Sequence, residues 1–129
     1  MIVRITGDCP LIDPAIVDST VSLRIESGAD YASNTAPPSF PDGLDTEVFT
    51  MSSLAIAHAQ ATTTVQREHV TPFIRESGQF RTANLISAID LSSMRWTVDE
   101  PADLEVVKSV FEHFAPQKDF PILGHYCAH

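Results

Sequence analysis

The sequence predicts an α/β protein, a sheet with flanking helices. Short β-branched runs alternate along the chain with longer segments of helical periodicity, which is the pattern of a layered α/β sheet. Two of the predicted strands, 2–6 and 94–98, are each followed by an aspartate and then a proline that opens a turn or a helix. Ligands of open α/β sheets bind beyond the carboxyl ends of strands, so we expect Asp8 and Asp99 to face one pocket.

The first half of the chain is predicted to contain two helices between short strands. Asp13 followed by Pro14 predicts the N-cap and first position of a helix that ends at Gly28. Ser52 is expected to cap an alanine-rich helix over about 53–61. The strands are expected at about 2–6, 30–34 and 47–50.

Residues 35–45, TAPPSFPDGLD, are predicted to form a long loop. Three prolines and a glycine leave neither a helix nor a central strand available. Long loops in compact domains are often functional, and the carboxylates of Asp42, Asp45 and Glu47 suit a polar ligand. A solvated surface loop is the alternative.

The second half is predicted to alternate in the same way. The segment VQREHVTPFIRESG is expected to be a helix from about Gln66 that Pro72 kinks or restarts and Gly78 ends. Strands are expected over 80–89 and 94–98.

A last helix is predicted from Pro101, with acidic residues in its first turn. Its apolar stripe is expected to comprise Leu104, Val107, Phe111 and Phe114. We expect one domain over 1–115 and an irregular extension over 116–129.

Composition and charge exclude several classes of protein. The 129 residues fit one domain, and the net charge of −9 has the wrong sign for binding nucleic acid. No run approaches the roughly 18 consecutive apolar residues of a membrane span, and MIVRITGD lacks the features of a secretory signal. We therefore expect a cytoplasmic protein, with Cys9 and Cys127 as unpaired thiols.

The strand-end aspartates have two interpretations. Mg²⁺ is held typically by one or two carboxylates together with waters and the phosphates of a substrate, and Asp8 and Asp99 fit that use. The alternative, in which each aspartate caps the turn or helix after it, stays open.

Several segments together resemble one known family. RITGDCPLIDP, DYASN, PDGLDTEVF, REHVTPFI and RWTVDEPADLEVV occur in this order. They are similar to the C-terminal part of the cytidylyltransferases grouped with spore coat polysaccharide biosynthesis proteins, relatives of the CMP-KDO and CMP-sialic acid synthetases. Several ordered motifs are more specific than any one of them.

The resemblance implies a Rossmann-like nucleotidyltransferase fold of the nucleotide-diphospho-sugar transferase type. It also implies transfer of CMP from CTP to a nonulosonate-like sugar, with release of pyrophosphate, in polysaccharide biosynthesis. No covalent protein nucleophile is needed, because metal ions and positioned donors stabilise the charge that develops on the phosphate.

The resemblance also implies roles for individual residues. Asp8 and Asp99 are expected to bind Mg²⁺ and to be catalytic, with Asp103 as a further ligand. The residues expected to border the sugar are Asp45, Glu47, Arg67, Glu68 and His69. His69 is either a general base or a structural hydrogen-bond donor, and Arg95 either contacts a phosphate or carboxylate of the substrate or forms a strand-face salt bridge.

One departure from the family affects these expectations. Family members have a basic, glycine-containing nucleotide-binding loop ahead of the first motif, whereas this sequence begins at the strand before Asp8. We therefore expect the N-terminal portion to be missing, so that the chain is a fragment, a truncated gene product or one part of a divided protein that needs an N-terminal partner chain. The sheet edge left exposed would also allow a homodimer. A non-catalytic remnant that acts by protein association and a glycosyltransferase that uses a nucleotide-sugar stay open as alternatives.

Overall fold

The computed structural model describes residues 1–116, and the predicted extension over 116–129, apart from Pro116, lies outside the described residues, as does Cys127. Strands and helices both occur along the described part, with two strands in succession and then three helices in succession rather than strict alternation. The strands are β1 (Ile2–Arg4), β2 (Tyr31–Ser33), β3 (Glu47–Phe49) and β4 (Thr82–Asn84). The helices are α1 (Pro14–Ser27), α2 (Met51–Gln60), α3 (Thr64–Glu68), α4 (Pro72–Glu76) and α5 (Pro101–Phe114).

The four strands form one mixed sheet in the order β1-β3-β2-β4. Strand β3 runs antiparallel to both of its neighbours, whereas β2 and β4 are parallel. Strands β1, β2 and β4 therefore end at the edge of the sheet where β3 begins. Glu47 lies in register with Arg4 on one side and Ser33 on the other. The predicted α/β fold with a sheet and flanking helices is confirmed.

Helix α1 has the predicted bounds, because its end signals are local. The Asp13 carboxylate accepts a hydrogen bond from the Ala15 amide at 2.9 Å, and Pro14 follows at the first helical position. Gly28 ends the helix with a φ of 63°, a left-handed conformation that suits glycine. The helix then packs across β2, β3 and β4.

Helix α2 begins at Met51, two residues earlier than predicted. Thr50, rather than Ser52, is the N-cap, and its hydroxyl accepts a hydrogen bond from the Ser53 amide at 2.9 Å. Strand β3 ends at Phe49, so Thr50 keeps an extended backbone from which its side chain reaches the third helical amide. The predicted cap at Ser52 was wrong.

The segment predicted as one kinked helix forms two short helices, α3 and α4. The interruption lies at Val70, which has a φ of 70°, and so precedes Pro72. Pro72 is instead the first residue of α4, where its missing N–H has no helical partner to lose.

The predicted strand over 94–98 reduces to a single bridge between Asp42 and Arg95. The Asp42 amide donates to the Met94 carbonyl at 2.9 Å, and the Trp96 amide donates to the Asp42 carbonyl at 2.7 Å. The three prolines of this loop have no amide hydrogen to donate, which limits how far it can pair with the 94–98 segment. The strand predicted over 80–89 is likewise short, since pairing with β2 covers only 82–84.

Gly43 allows this loop to pack against the segment that contains Trp96. Its φ is 107°, and a Cβ atom there would lie 2.7 Å from the Trp96 carbonyl carbon. Any other residue at this position would both strain the backbone and clash.

Two apolar clusters stabilise the fold. One lies between the sheet and helices α2 and α4 and is built on buried Tyr31, Phe49, Ala57, Ala61, Phe73 and Ile74. The other joins Leu11 to Val107 of α5, with Val110 and Phe114 packed beside them. Leu104 and Phe111 of the predicted stripe are 43% and 39% exposed, so the face of α5 that packs is Val107, Val110 and Phe114.

Candidate functional site

A polar cleft of about 230 Å³ opens at the edge where β1 ends and β3 begins. This is the place at which ligands bind in open α/β sheets. The lining residues come from the end of β1, the loop before β3 and the segment through α4. They are Arg4, Ile5, Thr6, Thr35, Asp45, Glu47, His69, Thr71 and Arg75.

Glu47 is the buried carboxylate at the base of this cleft. Its Oε2 atom pairs with the Arg4 guanidinium. Its Oε1 atom accepts hydrogen bonds from the Tyr31 hydroxyl at 2.6 Å and the Thr71 hydroxyl at 2.7 Å. Burial, together with the charge of Glu47, raises the pKa of Tyr31, so this phenol stays a donor. Glu47 therefore ties β1, β2 and the start of α4 to β3.

Asp45 is half-buried on the wall of the cleft. Burial raises the pKa of its carboxyl, and the negative charges of Asp42, Glu47 and Asp8 raise it further. Asp45 thus lies close enough to Asp8 for their charges to interact, which connects the cleft to the first strand-end aspartate.

A strained turn presents His69 and Thr71 to the cleft. The Thr71 amide donates to the His69 carbonyl at 2.8 Å, which closes a γ-turn around Val70 at a φ of 70°. A positive φ is rare for a β-branched residue and costs on the order of 1–3 kcal/mol. The residues on either side of Val70 both line the cleft, so the strain lies at the candidate site.

The segments that carry Asp8 and Asp99 lie side by side. The Val98 amide donates to the Asp8 carbonyl at 2.9 Å, so Asp99 follows directly after the point of contact. A hydrogen bond from Thr6 lowers the pKa of Asp8, and this carboxylate is therefore ionised at neutral pH. The two segments are therefore neighbours through their backbones, and the expectation that the side chains of Asp8 and Asp99 face one pocket stays a prediction.

Asp99 belongs to a hydrogen-bonded network at the N-terminus of α5. Its Oδ2 atom accepts from the Arg95 guanidinium at 2.6 Å and from the Thr97 hydroxyl at 2.9 Å. Asp103 accepts from Arg95 and from the amides of Asp99 and Glu100, and so caps the helix. These bonds lower the pKa of Asp103 and raise that of Arg95. The salt-bridge alternative for Arg95 is present, and its role as a substrate contact stays a prediction.

The donor set at Asp8 and Asp99 fits a Mg²⁺ ion that keeps water and substrate phosphates as its other ligands. Within residues 1–116 no group of three or more His, Cys, Asp or Glu side chains is arranged to hold a metal. Both Asp103 oxygens already accept hydrogen bonds, which suits a cap better than a ligand. The metal roles of Asp8, Asp99 and Asp103 stay predictions.

The remaining predicted residues divide between two places. Asp45, Glu47 and His69 meet in the cleft. Arg67 borders a separate hollow beside Val70, and Glu68 is exposed at the end of α3. Their predicted contacts with a sugar stay predictions.

The sequence analysis missed three partners of Glu47, namely Arg4, Tyr31 and Thr71. Arg4 left a usable signal, since a charged residue within a β-branched run requires a partner when the strand is buried. Tyr31 and Thr71 left none, because each pairs with Glu47 through the fold alone.

The fold and the cleft together define an α/β protein with a mixed sheet and a polar ligand site at the edge where β1, β2 and β4 end. A family model described as cytidylyltransferase matches residues 1–119, and the chain belongs to that family. The predicted resemblance is confirmed to this extent, whereas the relation to CMP-KDO and CMP-sialic acid synthetases stays a prediction.

Two curated proteins are similar to most of the chain. The chain is 34% identical to the uncharacterized protein MJ1063 of Methanocaldococcus jannaschii, over 88% of this chain and 47% of that protein. It is 28% identical to the spore coat polysaccharide biosynthesis protein SpsF of Bacillus subtilis, over 92% of this chain and 50% of that protein. The chain thus spans about half the length of the curated relatives it matches.

A solved structure is similar across nearly all of the chain. A cytidylyltransferase from Leptospira borgpetersenii superposes with a TM-score of 0.86 at 32% identity, covering 95% of this chain and 52% of that one. Among the helices within residues 1–116, none has the length and apolar character needed to cross a membrane.

Proposed function

We propose that this chain provides the metal-binding and sugar-binding part of a cytidylyltransferase that transfers CMP from CTP to a nonulosonate-like sugar and releases pyrophosphate. The family assignment supports the use of CTP. The observation that supports the proposal is the backbone hydrogen bond from the Val98 amide to the Asp8 carbonyl, because it makes the segments that carry Asp8 and Asp99 neighbours.

Asp8 and Asp99 are the residues that would hold Mg²⁺. When bound, the ion would neutralise negative charge that develops on the phosphates of CTP. Thr97 and Arg95 position the Asp99 carboxylate from two directions. The aspartates therefore act by positioning and charge rather than as nucleophiles.

The cleft is the proposed sugar site. Thr6, Thr35 and Thr71 place hydroxyl groups around its wall, and these suit the hydroxyls of a sugar. Glu47 fixes the rotamer of Thr71 by accepting its hydrogen bond at 2.7 Å. His69 borders the same space, where its imidazole would accept a proton from the attacking sugar hydroxyl or donate a hydrogen bond to the sugar.

The experiment measures pyrophosphate release from CTP, Mg²⁺ and an acidic sugar. It uses this chain alone and this chain combined with the part of the Leptospira cytidylyltransferase that it does not match. We expect release in the combined sample and a loss of at least about 100-fold in Asp8→Ala and in Asp99→Ala. Asp18→Ala, an exposed position on α1, is the control. Full activity in both variants would contradict the proposal.

Supplying either CTP or a ready-made sugar nucleotide distinguishes a cytidylyltransferase from a glycosyltransferase. A cytidylyltransferase consumes CTP and releases pyrophosphate, whereas a glycosyltransferase consumes a ready-made sugar nucleotide. Turnover of UDP-sugar or CMP-sugar donors without use of CTP would support the glycosyltransferase alternative.

Protein association is a second candidate function, favoured by the edge position of β1. Val3 and Ile5 are 43% and 51% exposed at this edge, and an unpaired strand edge can pair with a second copy or with a partner chain. A dimer seen by sedimentation that dissociates in Val3→Lys, with no stabilisation by CTP and Mg²⁺, would favour association over catalysis. A cytoplasmic location also belongs to the proposal.

A further inference from the structure

Two arginines line the cleft, and their electrostatic situations differ. Arg4 is paired with the buried carboxylate of Glu47, so its charge is already compensated. Arg75 lies 3.9 Å from Glu76, whose side chain is 68% exposed, and a pair of this kind contributes little. Arg75 thus brings a positive charge to the cleft that a ligand can still use.

The position of Arg75 is fixed by the packing of α4. Pro72, Phe73 and Ile74 are all buried against the core. The Arg75 amide donates to the Thr71 carbonyl at 3.1 Å, so the residue that holds Glu47 also begins the turn that carries Arg75. The side chain of Arg75 is 36% exposed and lines the cleft at its mouth.

The negative charges near Arg75 restrict where an anionic ligand can bind in the cleft. Asp45 also lines the cleft and adds a carboxylate, and the chain as a whole carries a net charge of −9. An anionic ligand would be repelled here unless one cation met it directly. A guanidinium meets a carboxylate through two parallel N–H donors, a geometry that a neutral group cannot reproduce.

We infer that Arg75 is a specificity-determining residue that selects an acceptor sugar with a carboxylate over the same sugar without one. This inference rests on the proposed function and names the group that reads the substrate. The cleft of about 230 Å³ is smaller than the roughly 300–1,000 Å³ of pockets for drug-sized ligands, which suits a single sugar better than a nucleoside triphosphate.

The experiment compares binding of N-acetylneuraminate, a nonulosonate with a free carboxylate, with binding of its methyl ester. Dissociation constants come from NMR titration of the full chain, and the amides of Thr71 and Arg75 serve as reporters. We expect the acid to bind at least about 10-fold more tightly than the ester, since the ester has no charged oxygen to accept the hydrogen bonds of the guanidinium.

Arg75→Gln should bring the ratio of the two dissociation constants close to one by weakening binding of the acid while leaving the ester within about 2-fold. Arg75→Lys should restore part of the preference, because a lysine keeps the charge and loses the fork geometry. Lys108→Gln removes a cation of α5 that pairs with Glu105 outside the cleft, and it should leave the ratio unchanged. Melting temperatures equal to that of the unaltered chain would show that Arg75→Gln is folded.

A ratio near one in the unaltered chain, or a preference for the acid that survives in Arg75→Gln, would overturn the inference. A titration with CTP and Mg²⁺ shows whether Arg75 binds a phosphate instead of the sugar carboxylate. If Arg75→Gln weakens CTP binding and leaves the acid-to-ester ratio unchanged, Arg75 binds a phosphate and the inference is overturned. Failure of the proposed function would be detected in the separate pyrophosphate assay, as full activity in both Asp8→Ala and Asp99→Ala.

Discussion

The carboxylates of Glu47 and Asp99 lie in contrasting surroundings. The Glu47 side chain is 8% exposed, and its partners come from β1, β2 and the residue before α4. The Asp99 side chain is 55% exposed, and its partners Arg95 and Thr97 lie within four residues along the chain. A buried carboxylate with distant partners holds elements together, whereas an exposed one with local partners remains accessible to a ligand.

This difference assigns separate tasks to the two regions. Glu47 and its partners hold the elements around the cleft together, because removing Glu47 would leave the Arg4 guanidinium and the hydroxyls of Tyr31 and Thr71 without their acceptor. The hydrogen-bonded network at the N-terminus of α5 presents the Asp99 carboxylate at the surface, beside the segment that contains Asp8. Stability measurements and ligand measurements should therefore respond to different substitutions.

The largest effect on stability is expected for Glu47→Ala. This change leaves the Arg4 guanidinium and the hydroxyls of Tyr31 and Thr71 without their acceptor, and breaking a buried pair typically costs about 3–5 kcal/mol. Asp99→Ala should lower the free energy of unfolding by no more than about 1 kcal/mol, because its pair with Arg95 is exposed. Urea denaturation of both variants measures the contrast, and equal losses would contradict it.

A smaller effect is expected for Gly43→Ala, which tests how the loop before β3 packs on the Trp96 segment. The new Cβ would lie 2.7 Å from the Trp96 carbonyl carbon, at a φ of 107° that alanine rarely adopts. We expect a loss of at least about 2 kcal/mol. Gly7→Ala is the matched control, since no atom lies within 4 Å of its added Cβ. If both variants unfold at the same urea concentration, the proposed packing is wrong.

The smallest effect is expected at the γ-turn. Val70→Gly relieves a positive φ, and we expect the free energy of unfolding to stay within about 1 kcal/mol or to rise, since relief of backbone strain offsets the added chain entropy. Val65→Gly, in the ordinary helical backbone of α3, should instead destabilise by about 0.5–1 kcal/mol. Thermal unfolding compares the two, and a larger loss for Val70→Gly would remove the argument for strain at the site.

Features that depend on interactions between neighbouring residues could be predicted from the sequence, whereas features that depend on residues far apart in the chain could not. Helix α1 was predicted with its ends because Asp13, Pro14 and Gly28 act on neighbouring backbone. The strand predicted over 94–98 reduces to one bridge, because its bridge partner Asp42 lies some fifty positions away in a loop rich in proline. The network of Glu47 was missed for the same reason, since its partners lie 43, 16 and 24 positions away.

The central claim is that Asp8 and Asp99 share one divalent ion with a nucleotide. Electron paramagnetic resonance of Mn²⁺, titrated with CTP into this chain combined with the unmatched part of its Leptospira relative, measures this most directly. We expect Asp8→Asn, Asp99→Asn and the double variant to weaken binding by similar factors of at least about 10, because the loss of either ligand disables the same site. Asp18→Asn should bind as the unaltered protein does. Additive losses in the double variant, or unchanged binding in both single variants, would contradict the account.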